Sequence, residues 1–255
     1  MKTPRLMQLT LAALVPGIAT YAWVFGWGVL INLLAAAGTA VAAEAVILKL
    51  RGQQLKTLVD GSAMLTGILL ALCLPPLLPL WMVIIGTLFA LVFGKHVYGG
   101  LGQNVFNPAM VGFAVLVLSF PLAMSQWPDV ETKTPLSSVL NAKTTTTALR
   151  ADWDGVSGAT PLDAYRFRAG QTNAEFFGDR MQQNWQHWIY INLAFLAGGL
   201  FLVFSGVIRW QAPAAFLGTL GICAIAFYDG GSSASLGSPM FHLLSGAAKI
   251  GRAHV

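Results

Sequence analysis

Charged side chains are scarce in this sequence. Only 10% of the 255 residues are Asp, Glu, Lys or Arg, whereas 56% are hydrophobic, and an ordinary soluble domain has roughly 25% charged residues. So few charges cannot cover a surface that faces water, which excludes a soluble globular domain. Several apolar runs approach the ~20 residues that a helix needs to cross a bilayer. The composition therefore predicts an all-α, polytopic membrane protein.

Cysteine is also rare, and basic residues are not clustered. Cys73 and Cys223 lie inside apolar segments, without a C-x-x-C or Cys/His pattern, so we interpret each as a small buried hydrophobe and predict no metal site. The formal net charge is +5, but the basic residues flank apolar runs. They are typical of topology determinants rather than of a nucleic-acid surface.

The hydrophobic runs predict helices over 6–25, 29–48, 81–94, 109–121, 189–207 and 213–228. A further run, 62–80, is interrupted by Pro75 and Pro76, as in the broken helices that line sites within membranes. If this run crosses once, the basic loops place the N-terminus inside and the polar segment 122–186 outside. If it is re-entrant, that orientation reverses unless another break compensates.

The polar segment contains the stretch "DGVSGATPLD", residues 154–163. Thr160 followed by Pro161 is a good helix start, because threonine caps the first turn and proline fits its first position. A helix start also attracts phosphate, since its unpaired N–H groups carry partial positive charge. The stretch is therefore compatible with a structural turn, with a phosphate site, or with both.

The same stretch resembles a known flavin-attachment motif, D-x-x-[S/T]-G-A-T. That motif occurs in the family that unites the D subunit of the Rnf (Rsx) ion-translocating electron-transport complex with the B subunit of the sodium-pumping NADH:quinone reductase. The resemblance extends over nearly the whole chain, through "LKTLVDGSAMLTGILLALCLPPLLPLWMV", "YGGLGQNVFNPAMVGFAVLVLSFP" and "FHLLSGA". The combination is much more specific than any one of these motifs.

The resemblance implies a membrane subunit that is not an enzyme by itself but part of a translocase-class oxidoreductase complex linked to ferredoxin or NADH. FMN would be joined to Thr160 through a phosphoester, and a noncovalent riboflavin is a second expected cofactor. The flavin transferase would recognise Asp154, Ser157, Gly158 and Ala159. Expected partners are the A, B, C, E and G subunits of the Rnf complex, the transferase and membrane lipid. The chain is expected in the cell inner membrane, with the flavin loop in the periplasm. Electron transfer would drive Na⁺ or H⁺ translocation.

The resemblance also implies a urea-transporter-like fold of two inverted repeats. We expect residues 1–121 to form the first repeat, 122–186 the extramembrane loop and 187–248 the start of the second repeat. Members of the family continue with further helices, so we expect a C-terminal truncation. The final "KIGRAHV", 249–255, matches one reading frame of a sequencing adaptor, and we interpret it as foreign. The alternative function on such a fold is a channel for a small neutral solute without redox chemistry.

Two acidic residues in or near the first helices are further candidates. Glu44 lies within the second apolar run and is a candidate for an ion path, because acids inside membranes are costly and usually functional. The alternative is that Glu44 reaches the interface beside Lys49. Asp60 is expected to cap the helix that begins near Ser62, rather than to contact an ion or a flavin.

The segment that follows the fourth apolar run offers other polar candidates. We expect Lys95 and His96 to satisfy carbonyls at a helix end rather than to relay protons. Asn104 and Asn107 follow a glycine-rich turn and either form turns or donate hydrogen bonds to a bound ring. The "GGLGQN" sequence is not a dinucleotide fingerprint, because no alternating strand and helix surround it.

Overall fold

The described part of the chain is helical and contains no β-strand. The computed structural model describes residues 3–100, 102–128, 134–145 and 185–226. A 3-10 helix, Leu55–Asp60, precedes α3, and a π-helical turn, Val92–His96, continues α4. The α-helices are α1 Thr3–Phe25, α2 Trp27–Leu50, α3 Ser62–Cys73, α4 Leu80–Leu91, α5 Pro108–Ser119, α6 Pro121–Ser125, α7 Leu136–Thr144, α8 Trp185–Phe204 and α9 Gln211–Ala226.

Several of these helices have the length and composition of membrane spans. Among the described residues, Thr3–Phe25, Trp27–Leu50 and His187–Phe204 are long and apolar enough to cross a bilayer. Shorter apolar helices occupy Ser62–Cys73, Leu80–His96, Pro108–Ser119 and Gln211–Cys223. Large apolar side chains are exposed on these helices, for example Leu34 at 76% and Leu118 at 83%. The chain is therefore a multi-pass membrane protein, as its composition predicts.

The predicted interruption of the 62–80 run is confirmed. Helix α3 ends at Cys73 after 12 residues, and α4 begins at Leu80. Residues 74–79 between them, which we call the α3–α4 break, are all buried and contain three prolines. Proline has no N–H and disfavours helical geometry in the residue before it, so the helix cannot continue. At 1.5 Å per residue α3 is only about 18 Å long, shorter than the hydrocarbon core of a bilayer.

Residues 3–11, 21–100, 102–128 and 134–145 lie in one compact unit. In this unit α2 packs against α3 and α4, and α4 packs against α5. The approach of α3 to α2 requires glycine, because a β-carbon on Gly67 would lie only 2.6 Å from the carbonyl oxygen of Ala36. Small residues let helix backbones approach closely, which is the usual basis of helix association in membranes.

Helix α7 is not predicted by the sequence pattern and lies in the segment expected to be one long polar loop. Its apolar side chains Val139 and Ala142 are buried against Leu77 of the α3–α4 break, with Ile31 of α2 beside them. The segment Leu136–Thr144 has weak overall hydrophobicity because five of its nine residues are polar. The apolar surface offered by the break and α2 helps to stabilise it as a packed helix.

The second unit contains residues 12–20 of α1 together with α8 and α9. Within it, Gly198 of α8 lies so close to the backbone of Ala13 that a β-carbon would collide with the Ala13 carbonyl. Trp188 and Ile191 are buried on α8, whereas Phe216 and Ile222 of α9 are more than half exposed. The inverted-repeat organisation remains a prediction, as do the domain boundaries that depend on it. The tail 249–255 lies outside the described residues.

Candidate functional site

Three helical elements bring polar side chains together inside the first unit. Glu44 comes from α2, Ser62 is the first residue of α3, and Lys95 lies on the π-helical turn after α4. Each of these residues is buried, with at most 3% of its surface exposed. Burial of a lysine and a glutamate is costly unless they pair, and these two are paired. We call Glu44, Lys95, Ser62 and Asp60 the Glu44 cluster.

The Glu44 cluster is a continuous chain of short hydrogen bonds. Lys95 Nζ donates to Glu44 Oε1 at 2.6 Å and to Ser62 Oγ at 2.7 Å. The Ser62 hydroxyl in turn donates to Asp60 Oδ1 at 2.6 Å. Asp60 is only partly buried. The chain of polar groups therefore runs from the buried carboxylate of Glu44 towards a more accessible position.

Local sequence explains how two members of the cluster are positioned. Asp60 Oδ1 also accepts the backbone N–H of Ser62 at 2.7 Å, so it satisfies one of the donors that a helix start leaves unpaired. Gly61 between them adopts a left-handed backbone, φ 77°, which glycine tolerates without a steric penalty. The expected capping role of Asp60 is thus confirmed, and it orients Ser62 towards Lys95.

The π-helical turn positions Lys95. The backbone N–H of Val97 donates to the carbonyl of Val92 at 2.9 Å, five residues back instead of four. Gly94 faces the start of α5, where a β-carbon would lie 2.7 Å from Pro108 Cα. Such π-bulges are rare and frequently occur at functional sites. The extra residue per turn changes the direction of the following side chains, and Lys95 points to Glu44.

One carboxylate oxygen in the cluster has no partner among the residues that the structure describes. Glu44 Oε1 accepts from Lys95, whereas Glu44 Oε2 is buried and no donor of the described chain reaches it. Buried polar atoms without a partner are uncommon, and each calls for an explanation such as a bound water, an ion or a catalytic role. An open carboxylate oxygen beside a bound ammonium can accept a proton or a small cation.

A histidine and an arginine lie near the same turn. The carbonyl of His96 accepts a hydrogen bond from Arg51 Nη2 at 2.8 Å, which ties the end of the π-helical turn to the end of α2. In the described part of the chain, His96 Nε2 is also buried without a hydrogen-bond partner. The contact with Arg51 fixes the backbone that carries Lys95.

The structure corrects one expectation for this region and resolves another. Lys95 was predicted to satisfy carbonyls at a helix end; instead its ammonium binds Glu44 and Ser62, because the π-helical turn directs it inward. Glu44 does not reach the interface beside Lys49, since Glu44 is 3% exposed. Its role in an ion path remains a prediction.

The two asparagines after the glycine-rich turn bind their own backbone. Asn107 Oδ1 accepts from the N–H of Ala109 at 3.0 Å and caps α5, with Pro108 as its first residue. Asn104 accepts from the N–H of Gly102 and donates to the carbonyl of Phe106. The turn-forming interpretation therefore accounts for both side chains.

A second polar cluster, which the sequence pattern does not predict, is formed by Asn32 of α2 and Lys143 of α7. Lys143 is 2% exposed and donates to Asn32 Oδ1 and, at 2.8 Å, to the carbonyl of Leu78. Asn32 Nδ2 donates to the carbonyl of Pro75 at 3.0 Å. The one signal of this cluster in the sequence is the amide of Asn32 inside an apolar run.

The proposed flavin-attachment residues cannot be placed in this geometry. Thr160 lies outside the described residues, as do the motif residues Asp154, Ser157, Gly158 and Ala159. In the described part of the chain, no group of three or more His, Cys, Asp or Glu side chains could hold a metal ion. Cys73 is half-buried and Cys223 is exposed, contrary to the expectation that both are buried.

Comparison with known proteins gives a consistent result over the full length. Residues 1–255 match the NQR2, RnfD, RnfE family. The chain is 44% identical to the D subunit of the ion-translocating oxidoreductase complex of Escherichia coli O1:K1 / APEC, over 98% of this chain and 76% of that protein. The proteins of the same name from Salmonella paratyphi B (strain ATCC BAA-1250 / SPB7) and Salmonella heidelberg (strain SL476) show the same identity and coverage.

Proposed function

This chain belongs to the NQR2, RnfD, RnfE family, and from that premise we propose that it relays electrons through FMN bound covalently to Thr160. That it is a membrane subunit of an ion-translocating electron-transport complex follows from its relatives, which are named as subunits of an ion-translocating oxidoreductase complex. The finer assignment is carried by the motif "DGVSGAT", residues 154–160. No observation favours the solute-channel alternative.

The residues of the motif have distinct expected roles. The Thr160 hydroxyl would form the phosphoester, and Asp154, Ser157, Gly158 and Ala159 would be read by the flavin transferase. Small residues suit a segment that must enter the active site of another enzyme. When bound, FMN would supply the redox chemistry, while the protein supplies position and electrostatics. The same proposal includes a noncovalent riboflavin and the other Rnf subunits (A, B, C, E and G) as partners. It also places the protein in the inner membrane, with the loop on the periplasmic side.

We also propose that Glu44 belongs to the path of the translocated Na⁺ or H⁺. The support is the geometry of the Glu44 cluster: a buried carboxylate with one open oxygen, joined by hydrogen bonds to the partly exposed Asp60. Ionisable groups inside membrane proteins usually pair with one another and mark ion or proton pathways. The Lys95 ammonium, 2.6 Å from Glu44 Oε1, is the counter-charge of this carboxylate.

The flavin assignment is tested by labelling. Coexpression of the chain with a flavin transferase should give a band that fluoresces after denaturing electrophoresis, and Thr160→Ala should abolish it. Thr172→Ala, in the same polar segment but outside the motif, is the matched control and should keep full fluorescence. Asp154→Ala should reduce labelling. Fluorescence that persists in Thr160→Ala, or a Thr160 peptide found unmodified by mass spectrometry, would refute the attachment.

The ion-path assignment needs the assembled complex. In membrane vesicles that contain the holo-complex, Glu44→Gln should lower substrate-driven Na⁺ or H⁺ uptake while FMN labelling of Thr160 stays complete. Lys49→Gln, an exposed position near the end of the same helix, is the control for changing one charge on α2. Unchanged ion uptake in Glu44→Gln would exclude Glu44 from the path and leave the flavin assignment intact.

A further inference from the structure

The α3–α4 break exposes backbone carbonyls inside the protein. Residues 74–79 are buried and lie outside both helices. Within this part of the chain the Pro75 carbonyl accepts the N–H of Leu78, and the Pro79 carbonyl accepts the N–H groups of Met82 and Val83. Two carbonyls of the break accept hydrogen bonds from other elements. The Pro75 carbonyl accepts from Asn32 Nδ2 of α2, and the Leu78 carbonyl accepts from Lys143 Nζ of α7. The break, α2 and α7 are thus joined through one polar cluster, which we call the Lys143 cluster.

The orientation of Asn32 follows from this arrangement. Of the two polar atoms of the Asn32 amide, only Nδ2 is a donor, and it donates to the Pro75 carbonyl at 3.0 Å. The amide oxygen Oδ1 must therefore face away from Pro75. That oxygen accepts from Lys143. The Asn32 oxygen and the Leu78 carbonyl oxygen therefore converge on one point, and Lys143 Nζ occupies it.

No carboxylate among the described residues hydrogen-bonds to Lys143. The acceptors that Lys143 has in the described part of the chain are an amide oxygen and a carbonyl oxygen, both neutral. The break has no titratable side chain, Lys143 is the only one on α7, and the charged residues of α2, Glu44 and Lys49, lie towards the other end of that helix from Asn32. Burial lowers the pKa of Lys143 to about 7, so its charge is held weakly.

We propose that the α3–α4 break holds a binding site for a small monovalent cation, in which the Lys143 ammonium takes the place of the ion. Neutral carbonyl oxygens of an unwound helix are the ligands that discontinuous membrane helices use for Na⁺, and carbonyl rings are used for K⁺. The site would bind through Asn32 Oδ1, the Leu78 carbonyl and water. It would be open to an ion only when the Lys143 side chain is withdrawn or absent.

This site is separate from the proposed ion path through Glu44. The Glu44 cluster contains two carboxylates and a different lysine, whereas the Lys143 cluster contains only neutral oxygens. It also does not depend on flavin at Thr160, so the two proposals can fail independently. In the intact chain Lys143 fills the site and makes the break insensitive to the salt cation.

The test compares the effect of cations on variants that empty the site. The full chain with Lys143→Ala is extracted into detergent, and its thermal midpoint Tm is measured by the loss of the monodisperse peak after heating. NaCl, KCl or methylammonium chloride is added at constant ionic strength against N-methylglucamine chloride. We expect at least one small cation to raise the Tm of Lys143→Ala by about 3 °C or more, since a ligand that binds only the folded state stabilises it.

Two variants serve as matched controls. Lys143→Met removes the charge but fills the space, and Lys49→Ala removes an exposed lysine of α2; neither should gain a cation-dependent Tm. Lys143→Ser is measured in the same way if Lys143→Ala does not fold. If the Tm of the small variant that folds, Lys143→Ala or Lys143→Ser, responds to these cations no more than that of Lys143→Met, the proposal is overturned.

Discussion

Removal of the charge of Glu44, of Lys95 or of both should show whether the two side chains stabilise the fold as a pair. Lys95 Nζ lies 2.6 Å from Glu44 Oε1, and both side chains are 4% exposed. Glu44→Gln leaves the ammonium without a counter-charge, and Lys95→Met leaves the carboxylate without one. The double variant, with both charges removed, leaves neither. The three variants and the parent form a double-mutant cycle.

The expected magnitude follows from the burial of the pair. Removal of one partner of a buried ion pair costs about 3–5 kcal/mol, whereas replacement of both by neutral residues is often close to neutral. At roughly 2–4 °C per kcal/mol for a chain of this size, each single variant should lose on the order of 10 °C in Tm. The double variant should therefore lose less than the two single variants combined, and we expect it to be more stable than at least one of them.

The assay is heat resistance of the full chain in detergent at neutral pH, followed by the fraction that stays monodisperse. Lys49→Met, on the exposed end of α2, controls for the removal of one positive charge and should change Tm by less than about 2 °C, as surface substitutions usually do. Additive losses in the double variant would refute the argument, because they would mean that Glu44 and Lys95 contribute independently.

Three further predictions concern packing, pH and capping. Gly67→Ala should lower Tm, because its β-carbon would lie 2.6 Å from the carbonyl oxygen of Ala36. The control Gly38→Ala, on the facing helix α2, meets nothing within 4 Å and should raise stability by about 0.5–1 kcal/mol. Equal Tm values for the two variants would contradict the close approach of α3 to α2. Lys143 binds its proton with a pKa of about 7 when folded, against 10.5 ordinarily, so the unfolded chain binds more protons between these values and stability should rise from about pH 7 to pH 10. Lys143→Met should lack that part of the rise, and identical pH profiles by thermal melting would exclude this titration. Asp60→Ala should lower the free energy of unfolding by roughly 0.5–2 kcal/mol, because the first N–H of α3 loses its acceptor. Asp60→Asn keeps an oxygen at this position and should lower it less. Equal losses in Tm for the two variants would argue against capping.

Local chemistry made much of the fold predictable. The prolines at 75, 76 and 79 forbid a continuous helix whatever surrounds them, and the break was found where the sequence placed it. Asn107 followed by Pro108 starts a helix through contacts within three residues, and α5 begins there. The apolar runs likewise define helices of the right length, because their hydrophobicity is a property of each segment alone.

The partners of the buried charges could not be predicted in the same way. Glu44 was identified as a candidate because an acid in an apolar run needs compensation, but nothing in the run names its counter-ion. The choice of Lys95 depends on a π-helical turn and on the packing of three helices. A helix-end lysine ordinarily serves carbonyls, and that general rule predicted the wrong partner here.

What the sequence determined by itself is the membrane class, the positions of the long apolar helices and the interruption between α3 and α4, since each depends on residues that are neighbours in the chain. What only the tertiary structure decided is which polar groups meet. Lys95 and Glu44 are 51 positions apart, and Lys143 and Asn32 are 111 positions apart. Contacts at such separation depend on the path of the whole chain, because burial forces each polar group to pair with whichever partner the packed helices bring within reach.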